Sequence, residues 1–186
     1  MRALIAALVL ILSLAPEVAR AAVEIAFYSR DQGVDFPHAF VVLKGAVDAT
    51  GEAVDANFGF TPKHISPAVL MGSVGGKVVS VEADYIALSN RHFALVLSDE
   101  QYRAVMARVE AWRNRPQPNY NLNRRNCVVF VAELATAAGI DGSPEPGLMK
   151  KPKTFLNLLR DRNAPLIAAP SGAPPPAVAQ TAPAGR

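Results

Sequence analysis

The sequence predicts an α+β domain in which an antiparallel sheet packs against helices. Two observations carry this. Up to about Ser98 the chain reads as short apolar or alternating runs set apart by turn-forming residues, the pattern of strands. Beyond Ser98 the apolar period changes to helical spacing. Strands come first and helices follow, which favours helices on an antiparallel sheet over a parallel, alternating α/β layout.

The elements follow in chain order. Residues 1–21 open with Arg2, continue as an apolar run from Ala3 to Leu14, and close on Ala19-Arg20-Ala21. A basic residue, a short apolar core and a small-x-small site predict a secretory signal peptide. The run is short for a membrane span. Export to the periplasm or outside the cell is therefore expected, with membrane contact only through this segment where it stays uncleaved. The folded domain is expected over 22–163. Residues 164–186, rich in Ala and Pro, predict a disordered tail.

Within the domain, VEIAFYS (Val23–Ser29) reads as a strand. HAFVVLKG (His38–Gly45) is a near-continuous apolar run and reads as a strand buried on both faces. AVDANFGF (Ala53–Phe60) alternates, with Asp55 and Asn57 on the side opposite Phe58 and Phe60. HISPAVLMGSVGG is a loop or a short helix. KVVSVEA and RHFALVLS read as two further strands. Ser98 with Gln101 forms a capping box ahead of the helix SDEQYRAVMARVEAWRNR, which Pro116 and Pro118 stop. A second helix is expected from about Asn126 to Ala138 with Gly139 just past its end. A third is expected around Thr154–Arg160.

Composition narrows the function. A net charge of +3, from 19 Lys+Arg against 16 Asp+Glu, is too mild to argue for nucleic acid. The single cysteine, Cys127, cannot form an internal disulfide, so it is inert in the core, paired between chains, or a free reactive thiol. Free cysteine often acts as a small buried hydrophobe, and Val128 to Val131 behind it suit a buried helix start. Against that, Asn126 is a strong N-cap candidate. It places Cys127 where free N–H groups and the helix dipole favour a thiolate and an oxyanion. Arg124 and Arg125 add positive charge.

A nucleophilic thiol needs a base, usually histidine. His38 opens the most apolar strand. His64 lies in loop chemistry and His92 is expected to face solvent. A third group that orients the base is found in Asn57, with Asp55 second and His64 as an alternative. Three scattered histidines and one cysteine lack metal-binding spacing, and no metal or other cofactor is expected. MGSVGGKV lacks the first glycine and the Ser/Thr of a phosphate-binding loop.

These residues carry a resemblance. Histidine opening PHAFVVL, a polar residue in DANFGF, and the cysteine of YNLNRRNCVVFVAEL, in that order, resemble the circularly permuted NlpC-like papain-fold hydrolases, the group that includes lecithin:retinol acyltransferase-like enzymes. The resemblance spans about His38 to Gly139. It implies a papain-like fold, with Cys127 as nucleophile, His38 as general base and Asn57 as the orienting residue. Tyr120 and Asn126 would line the site or aid an oxyanion hole. Many members carry a histidine in the third role, where this chain has Asn57. The implied chemistry is acyl transfer through a thioester on an amide or ester bond, in a cell-wall peptide first and a lipid ester second. Arg113, Arg115, Arg124 and Arg125 would suit an anionic substrate. The alternative is a non-catalytic module on the same scaffold that binds a ligand or partner.

Overall fold

A computed structural model describes residues 22–31 and 37–168. The expected signal segment and most of the expected tail lie outside these residues.

Five strands form one antiparallel sheet: β1 (Val23–Arg30), β2 (His38–Ala46), β3 (Ala53–Pro62), β5 (Gly76–Val79) and β6 (Asn90–Leu97). Their order is β5-β3-β2-β1-β6. A second small sheet pairs β4 (Ser73–Val74) with β7 (Tyr120–Asn121). The helices are α1 (Ala68–Met71), α2 (Ala83–Ala87), α3 (Asp99–Arg113), α4 (Cys127–Ala137), α5 (Pro152–Arg162) and α6 (Ala164–Ala168). None of the described helices is long and apolar enough to cross a membrane.

Alternation along the strands builds the core. Ile25, Phe27, Ala39, Val41, Leu43, Phe58 and Phe60 point to one face, where they join Val105, Val109 and Trp112 of α3, Val128, Phe130 and Val131 of α4, and Phe155 and Leu156 of α5. The face turned away carries its own aromatic cluster. Phe40 lies 5.4 Å from Tyr28 and 5.7 Å from Tyr85 of α2, and the Arg30 guanidinium covers Tyr85. β2 is thus buried on both sides, as its unbroken apolar run requires.

The cap chemistry appears as expected. Ser98 and Gln101 form a reciprocal capping box at α3, and Gly139, at φ +90, follows α4 in a left-handed conformation that favours glycine. Three segments differ from the sequence reading. KVVSVEA pairs only to Val79 and then turns into α2. HISPAVLMGSVGG divides into α1 and β4. Helix α6 continues past Asn163, where the tail was expected to begin, because Leu166 and Ile167 have apolar core to pack against.

Candidate functional site

The site begins with the cap of α4. Asn126 is buried in extended backbone, and its Oδ1 accepts from the N–H groups of Val128 (2.9 Å) and Val129 (3.3 Å). Its Nδ2 donates to the carbonyls of Leu122 (2.8 Å) and Met149 (2.6 Å). Both ends of the amide are engaged, so Asn126 fixes the helix start and aims no donor at a substrate. Cys127 is the first helical residue and 7% exposed.

The backbone N–H groups of Ala39, Val128 and Cys127 itself lie near enough to the sulfur to favour the thiolate. The first of these belongs to β2, so the thiol reaches the strand at the peptide that joins His38 to Ala39. Burial nevertheless pushes the thiol up to about 11, and the three N–H donors offset only part of that rise. This corrects the expectation of a thiolate held by the helix end: here desolvation outweighs dipole and hydrogen bonds.

His38 sits at the start of β2. Its ring stacks beside Phe40, 6.2 Å between centroids, and crosses β3 where Gly59 has no side chain. A Cβ at Gly59 would fall 2.5 Å from Nε2. The imidazole therefore shares the sheet face of Phe40, while α4 packs on the face of Ala39 and Val41. Burial holds it down to about 4, and no hydrogen bond among the described residues joins the ring to the Cys127 sulfur.

Asn57 lies on the next strand, opposite Val42. Its side chain pairs with the backbone of Val81, donating to the carbonyl at 3.0 Å and accepting from the N–H at 2.7 Å. It extends the β3–β5 ladder by one step and does not engage His38. Asp55 is exposed and 3.9 Å from Lys44. His64 is exposed in the loop after β3.

Tyr120 feels the Cys127 sulfur electrostatically. The β4–β7 pairing and the hydrogen bond from Gly76 N–H to Asn119 Oδ1 (2.7 Å) fix its backbone, and its ring packs on Phe60 at 5.7 Å. Burial raises its phenol above the usual range, and the neighbouring Cys127 charge adds to the rise. Arg124 and Arg125 line a groove of about 360 Å³ with Arg115, Asn121 and Glu133. Arg113 instead pairs with Glu110 and lies over Phe58.

One constellation escapes the sequence reading. His92, expected to face solvent, is half-buried and bonded at both nitrogens: Nε2 is 2.8 Å from Ser29 Oγ and Nδ1 is 2.9 Å from Asn157 Oδ1. The cause is a bulge. Phe27 pairs with Phe93 and Tyr28 with Arg91, which leaves His92 as the extra residue of β6. Its imidazole is lowered by burial first; the Asn157 bond opposes this, and Arg160 and Lys153 reinforce it. Ser29 has no exposed surface. Nothing in the local sequence marks a bulge at this position. Among the described residues, no three His, Cys, Asp or Glu side chains are grouped as a metal site requires.

Comparison with known protein families, with curated proteins and with solved structures returned no match.

Proposed function

We propose that the protein is an exported thiol hydrolase or acyltransferase that attacks an amide or ester carbonyl with Cys127, with His38 as the base. The papain-like, permuted NlpC-type arrangement is part of this reading. One observation supports it above the others: Cys127 is the first residue of a helix capped by Asn126, and its sulfur lies near the Ala39 N–H, from the residue next to His38.

The chemistry follows from the two protonation equilibria. With the thiol near 11 and the imidazole near 4, proton transfer in the resting site is opposed by roughly 10 kcal/mol. The resting pair is neutral. The proton leaves sulfur only as sulfur bonds to carbon, and His38 accepts it in that step. In the resting structure the ring packs over Gly59 on the Phe40 face, so this step requires it to leave that packing and pass around the end of β2 to the face of Ala39, where the sulfur lies. No residue of β3 is paired with His38 in the register, which begins at Phe40 and Gly59. The oxyanion is held by the N–H groups that surround the sulfur. The imidazolium then returns the proton to the leaving group, leaving a thioester. Water or another acceptor takes the acyl group and restores the thiol. A cell-wall peptide is the first substrate class and a lipid ester the second.

A second reading is favoured by the Ser29–His92–Asn157 chain, whose contacts match the order nucleophile, base, orienting amide. Against it, Ser29 is fully enclosed and lines neither the groove of Arg115, Arg124 and Arg125 nor the cavity of Arg30, Glu82 and Tyr85. We read it as a polar pin between α5 and the sheet. Two probes separate the readings: methyl vinyl sulfone for a catalytic thiol and a fluorophosphonate for a catalytic serine, with the modified residue mapped by mass spectrometry. The thiol reading expects a vinyl sulfone adduct on Cys127 that forms more slowly in His38→Ala, and no fluorophosphonate adduct. Phosphonylated Ser29 would replace it with the serine reading. Silence toward both probes favours the non-catalytic binding module.

A further inference from the structure

Beside the first turn of α4 lies a groove whose charge is unbalanced. Its walls carry the guanidinium groups of Arg115, Arg124 and Arg125 and one carboxylate, Glu133. That carboxylate is already engaged: it accepts from Trp112 Nε1 at 2.9 Å and lies 3.5 Å from Arg108. Among the described residues none of the three lining arginines has a carboxylate partner. Arg115 rests over the Trp112 ring at 4.5 Å, and Arg125 reaches only the Pro118 carbonyl, at 3.5 Å.

The second observation is at Arg125. Its Nε is buried and has no hydrogen-bond partner, the one such side-chain atom found among the described residues. The rest of the guanidinium stays part-exposed, with Nη2 at the Pro118 carbonyl, so its charge faces the groove while Nε is left without a partner. The guanidinium fork suits a planar or tetrahedral oxyanion that takes two donors at once. The groove also flanks the positive end of an 11-residue helix, between Arg125 before Cys127 and Val129 after it.

We propose that this groove is a binding site for an oxyanion, a carboxylate or a phosphate carried by the ligand, with the part-exposed Arg125 guanidinium as its inner donor and Arg124 and Arg115 as its rim. At about 360 Å³ it admits an anionic group of a larger molecule. Only Asn126 separates Arg125 from Cys127, so a ligand anchored here is held beside the thiol. Binding needs no sulfur chemistry, so it stands or falls separately from the hydrolase reading and persists in Cys127→Ser protein.

The test is a titration of the ¹⁵N-labelled full chain followed at the Arg125 Nε–H resonance, with sodium phosphate in one arm, sodium acetate in another and sodium chloride at matched ionic strength as control. The expected result is a saturable shift with phosphate, acetate or both, but not chloride, weakened about tenfold in Arg124→Gln. Arg124 is exposed, so this change leaves the fold intact; Arg103→Gln, on the exposed side of α3, binds as wild type. Saturation by phosphate alone identifies a phosphate ligand, and saturation by acetate a carboxylate. A shift that follows ionic strength equally with all three salts, or one unchanged in Arg124→Gln, overturns the proposal.

Discussion

Cys127 and His38 are both held neutral by burial, and this has a measurable consequence. The His38 imidazole falls from an ordinary 6.5 to about 4 in the folded protein. Above the ordinary value both states are neutral and pH has no effect through this group. As pH falls from 6.5 through 4, the unfolded chain binds the proton first, and the native state loses stability. The loss reaches about 3 kcal/mol. Urea midpoints measured across this window should drop steeply in the wild type and less steeply in His38→Gln. His92, also lowered, contributes a residual slope in the same direction. The identity of the thiol and its place at a helix start were legible in NRRNCVVF, because Asn126 marks a cap locally. Its protonation was not, because that is set by burial among residues distant in sequence and by the N–H of Ala39, on a strand far from it in the chain.

Helix α4 depends on one side chain for its start. Asn126 supplies the cap and ties the preceding turn and Met149 to it through four hydrogen bonds. Asn126→Ala removes the cap, worth about 1 kcal/mol, and leaves the buried carbonyl of Met149 and the part-buried carbonyl of Leu122 unsatisfied, the former costing about 1–3 kcal/mol. The expected destabilisation is about 3 kcal/mol or more, read from urea unfolding. Asn126→Asp keeps the acceptor and recovers only the cap. Capping signals of this kind, with Ser98 and Gly139, made the long helices legible. The elements that went unread are those without local signals: the bulge that turns His92 inward, the two-residue pairing of β4 with β7, and the early end of β5, where Asn57 replaces a strand neighbour with its side chain. Asn57 illustrates the limit well. Its strand and face were read correctly from alternation, while its partner was decided by how the chain turns after Val79.

At the scale of the whole molecule, the antiparallel sheet brings residues from both halves of the chain to one end. β2 delivers His38 and the Ala39 N–H, α4 delivers Cys127, and β7 delivers Tyr120, although nearly ninety residues separate the histidine from the cysteine. The α+β class followed from the order of strands and helices, and the convergence of these segments is what the fold adds. The proposed function rests on that convergence, and it requires the His38 ring to move from the Phe40 face of β2 to the Cys127 sulfur beside Ala39. It is tested most directly by the pre-steady-state acylation of the intact protein with p-nitrophenyl acetate at neutral pH, with the acylated residue located by mass spectrometry. The expected result is a stoichiometric thioester on Cys127, absent in Cys127→Ala and formed about 10²- to 10⁴-fold more slowly in His38→Ala, the range of a general base. Acylation of Cys127 at the same rate with and without the imidazole, or none at Cys127 at all, would contradict it.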